Sequence, residues 1–376
     1  VSRLILVEDL AGPSVLGRGG HAMYVLQWAH GLRRLGHRVL LLEVLDEPPA
    51  PQAVRAFEEL VAQWWDPGEA AMVLASGEIL AGVERELIAN CAAEAAAVIT
   101  LAAHYRREPW PLVGDVRPRV LIDQDPGYTQ LWAQDGDPAD IFGEHDLYFT
   151  VGLNVGTPRS RLPTLGFEWH PVVNPVVLDW WTGDAPVRRG RFTTALSWRD
   201  YGYLEFEGRI LGPKVEEFRT LLDLPRRSGE QLELIVDLDP DDPDRAMLLD
   251  HGWLLDDPRT IASPGQYREF IRGSLAEFSC VKGGYAGTRS GWFSDRSACY
   301  LAAGRPVVLQ STGFEEVLPS GEGLLAFGTL EQAADALARV RADYTRHSAA
   351  AREIAREHLD GDRVLRALLD QIGGIA

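Results

Sequence analysis

Short apolar runs, each about one strand long and each followed by a loop and an amphipathic stretch, recur along this chain, and nothing else in it restricts the fold as much. Leu4 to Glu8 is the first run, a Gly-rich loop leads to Gly20, His21 to Leu35 repeats its apolar residues at helical spacing, and Gly36-His37 stops it before Arg38 to Val44. Runs as apolar as Val39-Leu40-Leu41-Leu42 suit strands covered on both faces, the environment of a parallel sheet. The chain therefore opens as a βαβ unit. After the acidic, Pro-rich loop Asp46 to Pro51, the spacing predicts helices over Phe57 to Trp65 and Glu84 to Ala97, and strands at Val98 to Leu101, Val120 to Asp123 and Asp146 to Thr150.

The rhythm fails between Pro158 and Pro186, where Pro, Gly and aromatic residues follow no period, as in a linker or hinge. It resumes with the strand Phe192 to Trp198, a helix Lys214 to Leu222, the strand Leu232 to Asp237, a helix Tyr267 to Ser274 and the strand Phe278 to Val281. The last part reads as a Gly-rich loop Gly283 to Gly291, a helix Asp295 to Ala303, the strand Val307 to Gln310, and two charged helices, Leu330 to Tyr344 and Ala349 to Ile372. A chain of 376 residues also exceeds what one hydrophobic core organises. The expected division is an N-terminal domain over 1–180, a C-terminal domain over 188–355, and a terminal helix, 356–376, packing back on the first domain.

A formal charge of −18 opposes non-specific binding to nucleic acid or an anionic membrane, since both need a positive field. Any phosphate-bearing ligand must then meet a local basic or backbone N–H site. Cys91, Cys280 and Cys299 are widely spaced, with no CxxC or Cys/His ligand pattern, and read as reduced thiols. The opening run is a strand rather than a signal peptide, and no apolar stretch reaches the roughly 20 residues of a bilayer span. A soluble cytoplasmic protein is expected, without an integral membrane segment or a metal site; the D-x-D spacings between Asp237 and Asp244 read as a solvated acidic loop.

Two glycine-rich loops carry the chemistry. Gly17-Arg18-Gly19-Gly20-His21-Ala22 opens a helix, where unpaired N–H groups and the helix dipole suit an anionic or polar group. It also fits a dinucleotide fingerprint with Glu43 as the ribose acid, although Asp9 to Leu16 separate it from the strand that should feed it directly. A turn that only packs helix on strand is an equal reading of this loop. The second loop, Lys282 to Ser297, includes Gly283, Gly284 and Arg289 and leads into a helix whose first turn holds Ser294, Asp295, Arg296 and Ser297. Lys282, Arg289 and Arg296 supply the local positive charge that the acidic whole lacks, so a diphosphate fits there.

The order helix, small residues, Gly304-Arg305-Pro306-Val307-Val308, then Gly313, Glu315-Glu316-Val317 and Gly321-Glu322-Gly323-Leu324-Leu325 resembles the donor half of GT-B glycosyltransferases. The Gly20 loop with Leu35-Gly36-His37-Arg38-Val39 is similar to the first βαβ unit of that superfamily. The likeness is to a divergent bacterial branch of the family 4-like enzymes, with a Ser/Asp-Arg-Ser helix start. It implies an α/β fold of two Rossmann-like domains facing across a cleft, a nucleoside-diphosphate-sugar as co-substrate rather than a bound cofactor, and metal-independent transfer. It also implies a basic pair for the pyrophosphate, at Arg199 and Lys214, with Arg209 as an alternate. Two glutamates eight positions apart, expected in retaining members, would fall at Gly291 and Cys299, and neither position is acidic.

Histidine suits proton transfer near neutral pH, so His21 and His104 are candidate bases for an acceptor hydroxyl, with Asp123, near Asp125, as a further one. A structural role is an equal reading for each histidine, and paired acids at the Asp123–Asp125 spacing more often form a turn with Asx hydrogen bonds. Trp292 and Trp198 are candidate sugar-stacking residues. Transfer of a sugar from a nucleotide-sugar to a small-molecule, glycan or protein acceptor in the interdomain cleft is the reading these residues favour. A nucleotide-sugar epimerase, a non-catalytic nucleotide-binding protein and a nicotinamide enzyme are the alternatives.

Overall fold

A computed structural model describes residues 2–102, 110–183 and 186–373. The chain forms two compact units: unit 1 comprises Val1–Gly152, Pro163–Val177 and Gly361–Ala376, and unit 2 comprises Leu153–Leu162 and Leu178–Asp360. Among the described residues no helix is long and apolar enough to cross a membrane.

Unit 1 is built on strands β1 (Arg3–Val7), β2 (Arg38–Leu45), β3 (Ala70–Leu74), β4 (Ile79–Gly82), β5 (Ala95–Thr100), β6 (Arg119–Asp123), β7 (Leu147–Thr150) and β8 (Trp169–Pro171). They lie in the order β4-β3-β2-β1-β5-β6-β7-β8. All neighbours are parallel except β3 and β4. With the β4 and β8 edges set aside, this is the doubly wound order, whose direction of winding reverses between β1 and β5. The centre is apolar on both faces, with Leu4, Ile5, Leu6, Val98 and Ile99 sealed from solvent. The Ala-rich residues Ala95 to Ala97 expected to extend a helix belong instead to β5. Alanine favours a helix, but pairing beside β1 decides the outcome, because tertiary context overrides a weak local preference.

The helix Gly19–Arg34 covers this sheet. Against it, within the same unit, lies Gly361–Gln371: a β-carbon on Gly31 would overlap Leu365, and Arg34 Nε donates to Asp362 Oδ1 at 3.0 Å. The single helix expected over Ala349 to Ile372 is therefore broken. Tyr344–Ile354 gives way to the π-turn Ala355–Leu359, and Gly361 donates its N–H to Val176 O at 2.8 Å.

Unit 2 contains β9 (Phe192–Ala195), the hairpin strands β10 (Leu204–Phe206) and β11 (Arg209–Leu211), β12 (Leu232–Ile235), β13 (Leu254–Asp256), β14 (Ala276–Ser279), β15 (Val307–Gln310) and β16 (Leu324–Phe327). Its main sheet, β13-β12-β9-β14-β15-β16, is wholly parallel and again doubly wound, with its switch point between β9 and β14. A ladder of aromatic contacts fills the core: Trp198 on Phe218, Phe218 on Trp253, Trp253 on Phe278 and Phe278 on Phe327, with ring centroids 5.2 to 5.9 Å apart. Each such ring contributes about 2–3 kcal/mol by burial.

Candidate functional site

In open doubly wound sheets the ligand crevice forms where neighbouring strands carry the chain to opposite sides. In unit 2 that place is visible in the register. β9 pairs with β12 along all four of its residues, but with β14 only at Phe192 and Thr193, so the carboxyl ends of β9 and β14 part. The Arg296 guanidinium occupies the gap. It donates from Nη1 to Ala195 O at 2.6 Å, from Nη2 to Ser279 Oγ at 2.8 Å and from Nε to Glu277 Oε1 at 2.6 Å. Burial opposes its charge, yet the Glu277 carboxylate outweighs that and holds the group above the usual arginine range. Arg296 thus sits at the carboxyl edge of this sheet, with its charge already compensated by Glu277.

Lys214 opens the helix Lys214–Thr220 and is only 7% exposed. Its ammonium has no hydrogen-bond acceptor and no carboxylate partner among the described residues. Burial, reinforced by the positive charges of Arg296 and Lys282, lowers its pKa to about 7. Lys282 Nζ lies 3.4 Å from the centroid of the Tyr201 ring and 5.7 Å from that of Tyr285. Tyr285 in turn stacks on Trp292 at 4.3 Å. Lys214, Lys282 and Arg296 therefore gather positive charge beside the switch point of a chain that is otherwise strongly acidic.

The glycine loop differs from expectation. Gly283–Gly287 is a short helix, and the Gly283 amide is spent on Gly212 O at 3.0 Å. A β-carbon at Gly283 would stand 2.9 Å from the Gly212 backbone, so this glycine permits two loops to touch. The Gly284 carbonyl accepts the Thr288 hydroxyl at 2.6 Å. At the start of the helix Asp295–Ala302, Ser294 is the cap and accepts from Arg296 N at 3.2 Å. Burial raises the Asp295 pKa against the pull of Arg296. The Ser297 hydroxyl is fully buried and has no hydrogen-bond partner among the described residues.

Arg199 is committed elsewhere. It donates to both oxygens of Asp242, at 2.7 and 2.9 Å, and to Asp244. Asp244 is 5% exposed and also accepts from Trp198 Nε1 at 2.9 Å and from Arg219 at 3.3 Å. Asp237, Asp239 and Asp241 are exposed, as expected of a solvated acidic loop, whereas Asp242 and the buried Asp244 at its end neutralise Arg199, and Trp198 is a core residue. Arg209 is exposed on the β10–β11 hairpin.

The two positions of the absent glutamates have a physical explanation. Gly291 has φ +77°, and a β-carbon there would lie 2.7 Å from Asn154 N. The segment Leu153–Leu162 docks on this turn through Asn154 N to Ser290 O at 3.0 Å and Asn154 Nδ2 to Gly313 O at 3.1 Å. No side chain fits at 291. Cys299 is 1% exposed inside its helix.

Unit 1 collects acids at the carboxyl edge of its sheet. Glu8 and Asp9 follow β1, Glu43 lies in β2 and Asp123 ends β6. Burial and Asp9 raise Glu8 well above the usual carboxyl range, and burial raises Glu43 to about 7. Glu43 accepts the N–H of Ala11, at 3.1 and 3.2 Å, and that of Gly12, so it anchors the loop after β1 instead of presenting a ribose acid. Asp123, raised by burial to about 6, is sealed. It accepts from Gln130 Nε2 at 2.9 Å, Thr129 Oγ1 at 3.0 Å, Thr150 Oγ1 at 3.2 Å and Asp125 N at 3.1 Å. With its acceptor sites filled it ties the turn after β6 to β7.

His21 stands in the first turn of its helix, next to Gly20, with its Nε2 2.7 Å from Asp9 O and 3.9 Å from Glu8 Oε1. A carbonyl only accepts, so in the neutral ring Nε2 carries the hydrogen and Nδ1 keeps the lone pair. Burial lowers the pKa, which favours that neutral form. Glu8 is the group the sequence does not advertise: nothing marks the last residue of an apolar run as the neighbour of a histidine thirteen positions on. His104 lies outside the described residues. Among the described residues no cluster of metal-ligating side chains occurs.

No protein-family model and no curated protein matches the sequence. Solved structures match over the whole chain. HepE of Anabaena in complex with UDP-glucose is similar at TM-score 0.59 and 13% identity, covering 100% of both chains. An alpha-glucosyltransferase in complex with UDP and a mismatched 13-mer DNA is similar at TM-score 0.60 and 12% identity, covering 99% of this chain and 100% of that one. The same enzyme with UDP-glucose and DNA containing an abasic site gives TM-score 0.57 and 11% identity over 98% of each chain. At such identities the likeness speaks for the fold, and the fold is GT-B, two Rossmann-like units in one polypeptide.

Proposed function

We propose that this protein is a glycosyltransferase that takes a sugar from a nucleoside-diphosphate-sugar, with unit 2 holding the donor and unit 1 supplying the acceptor-side chemistry. The observation that carries the reading is the Lys214 amine, buried beside Lys282 and Arg296 at the switch point of unit 2 with no carboxylate paired to it among the described residues. A buried cation without a counter-ion is costly, and a ligand diphosphate removes that cost. The whole-chain likeness to proteins solved with UDP or UDP-glucose supports a uridine nucleotide as the first donor to try.

In this reading Lys214 and Lys282 meet the charge that builds on the departing diphosphate. Arg296 braces the crevice from beneath, Asp295 stands at the helix start beside it, and Ser294 and Ser297 support that first turn from within. Preorganised cations of this kind are usually the largest contribution to such a transfer. His21 Nδ1 takes the proton of the acceptor hydroxyl. A chain with net charge −18 is poorly suited to nucleic acid as that acceptor, so a small molecule, glycan or protein is favoured.

Calorimetric titration of the intact protein with UDP, GDP and dTDP, followed by donor turnover against an acceptor panel, tests the proposal. Binding of one nucleotide with release of its sugar is expected. If none of the three binds, the donor assignment fails; inversion of the donor sugar without any acceptor would turn the reading toward an epimerase.

A further inference from the structure

We propose that donor binding is coupled to the uptake of one proton by Lys214, so that this lysine enters the complex as an ammonium whatever its charge beforehand. The inference rests on the donor-site reading above and adds the charge state of the site to it. Its ground is the surroundings of the amine. From the helix Asp295–Ala302 comes the Arg296 guanidinium, and from the segment after β14 come Lys282, which opposes a further positive charge, and the Cys280 thiol. Asp200, after β9, is the acid that favours the ammonium, and it makes no ion pair with Lys214. The other nearby acids are engaged: Glu277 by Arg296 at 2.6 Å, and Glu217, on the lysine's own helix, by Gln310 Nε2 at 2.7 Å. Among the described residues no anion is paired with Lys214, although this lysine is only 7% exposed.

Such a lysine titrates near neutrality, with a pKa of about 7. A diphosphate placed against it favours the charged form and raises that pKa. Affinity is then greatest below the pKa of the free protein, falls by up to about tenfold per pH unit above it, and levels off beyond the pKa of the complex.

The test is calorimetry of UDP binding to the full chain at about pH 8, where the terminal phosphate is already ionised, in buffers of different ionisation enthalpy. The slope of the observed heat against that enthalpy counts protons. Uptake of about 0.9 proton per UDP is expected from a group that titrates near 7. Lys214→Met, which keeps the length of the side chain and suits a buried site, should bind UDP at least tenfold more weakly and take up no proton. Lys214→Arg, permanently charged, should bind without uptake and with an affinity that stays level between pH 7 and 9. UDP binding with no buffer dependence in the unaltered protein overturns the proposal, as does uptake that persists in Lys214→Met. Failure of UDP to bind at all removes the donor site itself, an outcome distinct from binding without uptake.

Discussion

Arg296 and Glu277 form an ion pair enclosed in unit 2, Nε to Oε1 at 2.6 Å, across the gap where β9 and β14 part. Glu277 is fully buried and, among the described residues, its second oxygen accepts no hydrogen bond and Arg296 alone pairs with it. The same guanidinium tethers Ala195 O and Ser279 Oγ. The residue that the sequence suggests as a phosphate ligand is thus also the strut that shapes the edge on which a phosphate would sit.

Removing one member of a buried pair strands the other. Arg296→Ala should therefore cost about 3–5 kcal/mol of unit 2 stability in urea unfolding, while Arg296→Met combined with Glu277→Leu should recover much of that loss. A cost below about 1 kcal/mol for the single substitution would mean that the pair is not a structural strut.

Gly291 should resist every side chain. Its positive φ and the 2.7 Å approach of a β-carbon to Asn154 N predict that Gly291→Ala destabilises by at least about 1–3 kcal/mol. Gly291→Glu, which would place there the acid that the family resemblance implies, should lose the docked Leu153–Leu162 segment and gain no activity over the unaltered protein. Protease cleavage within residues 153–162 measures that release. An unchanged cleavage rate in both variants would show that the turn has room.

Much of this architecture is legible in the sequence because strand runs and their helices are local patterns. β1 and β2 announce themselves by four successive apolar residues, and β12 and β15 by three. β3 and β4 do not: Ala70–Leu74 follows a tryptophan-rich helix end, and Ile79–Gly82 is a short antiparallel edge that only its pairing with β3 defines. The site is legible by region but not by role. Arg199 reads as a ligand cation until Asp242 and Asp244, more than forty residues on, fold against it. Glu43 fits a ribose acid until the amides of Ala11 and Gly12 take its oxygens. Charges that cancel across such distances leave no trace in a local window.

Unit 1 should become less stable as pH rises toward neutrality. Glu43 titrates at about 7 when folded, above the ordinary 4.5, so the folded state binds the extra proton between those values. Stability is then fully present below about pH 4.5 and lost as pH climbs to about 7, by roughly 3 kcal/mol for this group alone. Asp123, at about 6 against 3.8, acts in the same direction at lower pH. Glu43→Gln keeps an oxygen for the Ala11 and Gly12 amides and should flatten the profile. Thermal unfolding of unit 1 that is independent of pH between 5 and 7.5 would contradict the buried acids as the cause.

His21 should matter for turnover and little for donor affinity. Its Nε2 hydrogen is fixed on Asp9 O at 2.7 Å, which leaves Nδ1 as the basic nitrogen, and burial keeps the ring neutral near pH 7. A positioned base of this kind contributes about 10²–10⁴-fold. His21→Ala should lower kcat by that order while UDP affinity stays within about twofold, since no group of unit 2 is altered. Glu8→Gln should act through the same ring. Replacing the carboxyl 3.9 Å from Nε2 with an amide removes a negative charge available above the raised Glu8 pKa, and should lower the pH at which kcat reaches its plateau. A kcat that survives His21→Ala, in a protein that still binds UDP, would move the base to another residue.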